Sequence, residues 1–225
     1  MLIDGDAGKL NTKQKEYLNE VYTGNQRMVA LVNALLNVSR LEMGTFTVEP
    51  EPTDIIEISK TVIKEMLPMI KKKEIIVKEN YASVLPKINI DPKFIRVVFQ
   101  NLISNAIKYT PEKGIVKIII ELRKKDEAID GATALFDSLF ISVTDKGYGI
   151  PKNQQDKIFS KLFRADNVRE RDTEGTGLGL YIVKSIIEHS DGKIWFKSKE
   201  NKGSTFFVLL PLKGMKKKEG TKTLS

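Results

Sequence analysis

Two glycine-rich stretches limit what this chain can fold into. DKGYGIP directly follows an apolar run, LFISVT, and EGTGLGL directly precedes a helical pattern, YIVKSIIE. In the first, Gly147 and Gly149 permit a sharp turn or a close backbone approach to a ligand. Asp145, at the end of the strand, can accept a hydrogen bond from an exocyclic amine. In the second, Gly175, Gly177 and Gly179 leave backbone N–H groups free where a helix N-terminus favours phosphate. Taken singly, each stretch reads equally well as a plain turn or loop. The second is not a Walker loop, because no Gly-Lys-Ser/Thr follows. It is not a dinucleotide fingerprint either, because the βαβ unit with a later acidic residue is missing.

A helix is expected from Pro92 to Tyr109, with Asp91 as its N-cap and proline at its first position. Asn101, Asn105 and Lys108 are spaced by four and three, so they share one face. Ile95, Val98, Phe99, Leu102 and Ala106 form a separate apolar face. Amide oxygens can ligate magnesium and a lysine can meet phosphate as a point charge. By itself the polar row is a weak signal and reads first as a solvated helix face. Upstream, a helix runs from Asp54 toward Lys72, interrupted or ended by Pro68, and EIIVKEN reads as a strand. GIVKIIIELRKK and LFISVTDKG read as two more strands, and KIWFKSKE with STFFVLLP as a last hairpin. DEAIDGATALFD between the two strands is expected to be a long hairpin loop without a motif. The order gives an α+β fold, a two-layer sandwich with helices on one face of a mixed sheet.

The N-terminal part has a different pattern. Asn11 and Gln14 make a capping box for a helix running to about Met43 and ended by Gly44. Leu18, Val21, Asn25, Met28, Val32, Leu35 and Ser39 alternate spacings of three and four, a heptad seam. Tyr22, Val29 and Leu36 widen the stripe beyond what one partner covers, as in a four-helix bundle; the competing reading is an ordinary amphipathic helix packed on its own domain. TFTVEPEPTD then suggests a strand, a turn and a domain boundary. The expected layout is a bundle helix over 1–44, a linker over 45–53, the α+β domain over 54–213, and a basic disordered tail over 214–225.

The chain has no cysteine and one histidine. Disulfides, thiolate catalysis and cysteine-based zinc sites are excluded, and a histidine-rich metal site is not expected. No apolar stretch is long enough to span a bilayer. MLIDGDAGKL lacks the charged and apolar regions of a signal peptide, so a cytoplasmic chain is expected. The net charge of +8 raises the question of nucleic acid. The basic runs Lys71–Lys73, Arg123–Lys125 and Lys216–Lys218 lack interleaved aromatics, and the bland reading is a solvated surface.

Taken in order, the motifs resemble the histidine kinase members of the gyrase, chaperone and mismatch-repair ATPase superfamily. NLISNAIKYTP resembles the N box, DKGYGIP the first glycine box, IFSKLFRAD the F box, GTGLGLYIVKSIIE the second glycine box, and GSTFFVLLP the closing strand. DGDAGKLNTKQKEYL and LVNALLNVSRLEMG resemble the second helix of the dimerisation and phosphotransfer region. The resemblance implies about five strands under three helices, with ATP between the N box and the glycine boxes. It implies that Asn105 ligates Mg2+, that Asn101 supports the phosphates or the metal, that Lys108 contacts phosphate and that Tyr109 packs on the purine. Asp145 would accept the adenine amine, with Gly147, Gly149 and Ile150 shaping the purine pocket. Phe159–Gly175 would be a mobile lid. Gly175, Thr176, Gly177, Leu178, Gly179 and Leu180 would lie along the phosphates, and Thr205 on the closing strand would complete the site. Arg164 would help stabilise the transferring phosphoryl group.

The hydrolytic relatives carry a glutamate four residues before the metal-binding asparagine. Here that position is Asn101, whose amide cannot be a general base, so slow hydrolysis and a kinase are expected. The family's phosphoacceptor histidine lies on a helix that would precede this chain, so the chain is expected to be a fragment. His189 reads as a surface residue at a helix end. A response regulator, the missing phosphoacceptor helix and a homodimer of the parent kinase are the expected partners, without nucleic acid; the chain is expected to be cytoplasmic, and the resemblance leaves open a membrane anchor on the parent, as in many relatives. The competing readings are an ATP-binding pseudokinase and a serine kinase of the anti-sigma type. Asn105, Asp145 and Arg164 argue against the first, and the bundle-like helix against the second.

Overall fold

The computed structural model describes residues 8–43, 47–169 and 175–217. Helix α1 spans Thr12–Glu42. Its start is the expected capping box: Asn11 N–H donates to Gln14 Oε1, and Gln14 N–H to Asn11 Oδ1, both at 2.9 Å. The expected stop at Gly44, residues 45–46 of the expected linker, and 218–225 of the expected tail lie outside the described residues.

The remaining elements form one sandwich. Strands β2 (Ile76–Tyr81), β4 (Ile115–Arg123), β7 (Ser138–Asp145), β9 (Gly203–Pro211) and β8 (Lys193–Lys199) make a five-stranded sheet in that spatial order. β2 runs parallel to β4, and the other neighbours are antiparallel. Helices α2 (Ile55–Glu65), α4 (Pro92–Tyr109) and α6 (Gly179–His189) cover one face. Strand alternation builds that layer. Val116, Ile118 and Ile120 of β4, Leu139, Ile141 and Val143 of β7, and Phe206, Val208 and Leu210 of β9 point into the core shared with α4 and α6.

The helix ends follow from local chemistry. Asp54 caps α2 through the Glu57 N–H, and Asp91 caps α4 through the Lys93 N–H. Asp91 is also buried, and its second oxygen accepts the Glu49 N–H at 3.0 Å, tying the incoming chain to α4. The break expected near Pro68 separates α2 from the short helix α3 (Leu67–Lys72). A strand missed in the sequence, β3 (Ile88–Ile90), pairs with β1 (Glu51–Thr53). β1 falls within the expected linker and is thus hydrogen-bonded to the sandwich. Gly214 and Met215 of the expected tail are also engaged: the Met215 N–H donates to Asn89 O at 2.8 Å, and its side chain packs on the core.

The segment expected to be a bare loop is a small hairpin, β5 (Ala128–Ile129) with β6 (Ala132–Thr133). It folds back on the helix-free face of the sheet. There Ile129 and Ala134 join Phe140, Phe207 and Leu209 in a second apolar cluster, with Trp195 against it. Trp195 stacks on Phe207 with centroids 5.3 Å apart, and its Nε1–H donates to Asp130 O at 3.2 Å. Among the described residues, no helix is long and apolar enough to cross a membrane.

Candidate nucleotide site

A cleft of about 390 Å³ opens between α4, the end of β7 and the start of α6. α4 brings Asn101, Asn105, Lys108 and Tyr109 into it, so the polar row seen in the sequence is one wall of one cavity. Asn101 Nδ2 donates to Val97 O at 2.8 Å, which turns Oδ1 toward the start of α6. A Cβ at Gly179 would sit 2.2 Å from that oxygen, so only glycine lets the α6 N-terminus come this close. The C-terminal end of α4 is held by Lys73, whose Nζ donates to the carbonyls of Ile107 at 3.0 Å and Lys108 at 2.7 Å and to that of Thr110. Burial pulls the Lys73 ammonium below its usual range. Within the run Lys71–Lys73, expected to be solvated surface, Lys73 is thus a helix cap beneath the site.

Asp145 closes β7 at the floor of the cleft. Its Oδ1 accepts the Gly147 N–H at 2.7 Å and the Ser204 N–H at 3.2 Å. Burial pushes its carboxyl up to about 6, against the pull of those two donors. Gly149, Ile150, Gly175, Thr176, Gly177, Gly179 and Leu180 line the cleft as expected, and Arg164 lies at its side. Arg164 Nη1 donates to Gly175 O at 3.1 Å. Gly177 has a φ of +70°, and a Cβ there would meet the Leu162 backbone at 2.7 Å.

Three expected residues stand elsewhere. Thr205 lies on the opposite face of β9, in register with Phe207 and Leu209, where its hydroxyl donates to Thr144 Oγ1. Ser204, one position earlier, takes its place, because successive strand residues face opposite sides. Leu178 is fully buried in the core under α6. Its N–H, which accompanies the glycines, donates to Thr176 Oγ1 at 3.3 Å. Gly147 packs behind Asp145, where a Cβ would sit 2.4 Å from Tyr109 O, and supports the site without lining it.

The cleft also has walls beyond the expected residues. Ser104 is three residues from Asn101 and four from Lys108, so helical spacing could have included it. Met69 arrives from α3 and Val168 from the short helix α5 (Asp166–Arg169), and no local pattern announces either. Of the segment expected as a lid, residues 170–174 lie outside the described residues. His189 is exposed at the end of α6, with Nδ1 2.7 Å from Ser185 O, and is not part of the cleft.

The family model of histidine kinase-, DNA gyrase B- and HSP90-like ATPases matches residues 90–214. The sensor histidine kinase WalK of Bacillus subtilis (strain 168) is 35% identical over 188 residues, covering 84% of this chain and 29% of that protein. The chain belongs to the sensor histidine kinases of this ATPase family. It spans less than a third of the length of that relative. The sensor protein kinase WalK of Staphylococcus saprophyticus is 32% identical over 93% of this chain. Among solved structures, full-length ShkA in complex with AMPPNP superposes with a TM-score of 0.72 and 27% identity, covering 92% of this chain and 40% of that one. The histidine kinase ThkA in complex with the response regulator TrrA superposes at 0.66 and 25% identity, over 92% and 53%. The two-layer α+β architecture is that of the family's histidine kinase domains.

Among the described residues, no group of three His, Cys, Asp or Glu side chains is placed to hold a metal. The cleft offers the Asn105 amide instead. That fits magnesium, which keeps several waters and is held by one or two protein oxygens together with substrate phosphates.

Proposed function

We propose that the chain binds ATP with magnesium and transfers the γ-phosphate to a histidine on a dimerisation helix of the parent kinase. The observation that carries this reading is the convergence of Asn101, Asn105, Lys108, Asp145 and the Gly175–Gly179 backbone on one cleft. The purine would lie toward Asp145, Ile150 and Tyr109, with the exocyclic amine donating to the Asp145 carboxylate. The phosphates would lie along the α6 N-terminus, where free N–H groups and the helix dipole favour anions. Asn105 and Asn101 would hold Mg2+, which neutralises phosphate charge when bound, and Lys108 would meet a phosphate oxygen. Arg164 would oppose the charge that develops on the phosphoryl group in flight. The partners under this reading are the phosphoacceptor helix, a second copy of the parent and a response regulator, in the cytoplasm.

Calorimetry tests the site. Asn105→Ala should weaken ATP binding about tenfold in magnesium and little in its absence. Asp145→Ala should erode the preference for ATP over GTP by a comparable factor. Equal ATP affinity in both variants and the parent chain would remove the basis for this assignment.

A further inference from the structure

The stretch around Arg164 is fastened to the sheet by side-chain amides. Gly149 anchors the near end: its φ is +63°, and a Cβ there would lie 2.1 Å from the Lys199 carbonyl oxygen. The Ile150 N–H donates to Ser198 Oγ at 2.9 Å. Gln155, in the 3₁₀ turn Lys152–Lys157, donates through Nε2 to Ile150 O at 3.0 Å and Ser198 O at 3.2 Å. This fixes the turn to the end of β8.

The preceding residue reaches the other way. Gln154 Nε2 donates to Asp166 Oδ2 at 2.5 Å, and the Asp166 N–H donates to Gln154 Oε1 at 3.0 Å. Next along α5, Asn167 Nδ2 donates to Gly149 O at 3.1 Å, and its Oδ1 is buried without a hydrogen-bond partner among the described residues. Ala165 and Val168 are buried in the cleft wall on either side of this pair. Arg164 lies two residues before Asp166. Two ties, one to the turn and one to the first glycine box, therefore hold the backbone next to Arg164, whose guanidinium also donates to Gly175 O.

Resting on the reading of Arg164 as a contact to the γ-phosphate, we infer that Gln154 and Asn167 are positioning residues that hold Arg164 in place before nucleotide arrives. The γ-phosphate contact is a matter of where one guanidinium charge sits, and such contributions fall steeply with misplacement. The Gln154–Asp166 pair is solvent-exposed, so the fold depends on it little. Phe159–Arg169 is then a preformed part of the site rather than a segment that orders on binding.

The test uses the 225-residue chain with Mg-AMPPNP and Mg-ADP as probes. The ratio of the two affinities reads the γ-phosphate contact, and amide exchange over 163–169 reads the tie. Gln154→Glu removes the donor and sets two carboxylates face to face. It should lower the ratio about threefold to tenfold and speed exchange. Adding Asp166→Asn restores a donor–acceptor pair with the roles reversed, and should bring both readouts back to within about twofold. Asn167→Ala should speed the same amides through the second tie. Unchanged exchange and an unchanged ratio in Gln154→Glu and Asn167→Ala would overturn the inference, as would failure of the Asp166→Asn swap to rescue. Arg164→Ala is the control. If it leaves the ratio untouched, the phosphate role of Arg164 falls, and exchange alone decides whether the ties hold the segment.

Discussion

At Asp145 binding and stability conflict. The carboxylate sits at the cleft floor, and burial raises its pKa from 3.8 to about 6. The folded chain therefore holds this proton more tightly than the unfolded chain. The cost of burying the charge is absent below the unfolded value, grows as pH rises toward 6, and is complete above it. A shift of this size corresponds to about 2–3 kcal/mol. Asp145→Asn, without nucleotide, should be the more stable protein at pH 7–8, with the gap closing as pH falls toward 4. Paired thermal melts across that range measure it. A gap independent of pH would mean that the carboxylate is not strained in this way. The same variant should bind ATP more weakly, because the site loses its carboxylate acceptor. Ser204 and Thr205 make a different point: both are small hydroxyl residues on one strand, and only parity decides which of them meets the cleft.

α4 joins the core to the site. Its apolar face is buried by the sheet, its polar face lines the cleft, and Asp91 and Lys73 close its two ends. A cation at a helix C-terminus is favourable, and three charge-assisted bonds to carbonyls raise the effect. Lys73→Met keeps the side chain's bulk and removes those bonds. It should cost about 1–3 kcal/mol, a melting-temperature loss of about 2–8 °C, and loosen the Lys108–Tyr109 end of the cleft. A melting temperature equal to the parent's would show the cap to be unimportant. The β5–β6 hairpin shows how poorly a short element can be read. Two-residue strands carry no period, and only the aromatic patch on the sheet's far face gives Ile129 somewhere to be buried.

For the whole molecule, the described residues bring the nucleotide cleft together while the seam of α1 stays open. Val21, Met28, Val32 and Leu35 are exposed along α1, the side expected to face partner helices. Asn101 stands at the expected water-activating position, where an amide cannot take a proton from water, and its Nδ2 is already engaged with Val97. His189 is at the end of α6, outside the cleft. The chain alone should therefore neither release phosphate above background nor label itself from radioactive ATP. Mixed with a peptide carrying the phosphoacceptor helix, it should transfer phosphate to that histidine, and Arg164→Ala should slow transfer about a hundredfold or more, well beyond its loss of ATP affinity. Acid-labile phosphate on the isolated chain, abolished by His189→Ala, would contradict this.

Most of the elements are written locally. The Asn11 and Asp91 caps, the helix break at Pro68, the apolar strands and the shared face of Asn101, Asn105 and Lys108 follow from spacing and side-chain chemistry alone. The order of the motifs along the chain by itself points to the family. Relations between distant segments could not be read this way. Local sequence does not say that Lys73 meets the end of α4, that Met69 walls the cleft, that Ser204 and not Thr205 faces it, or that Gln154 and Asn167 hold the Arg164 segment. Each of those depends on a register or a long-range approach. Strand parity shifts every side chain to the other face with a one-residue slip, and side-chain hydrogen bonds across ten or more residues have no period to detect. The tertiary structure alone fixes them, because close packing leaves each of these side chains one place to go.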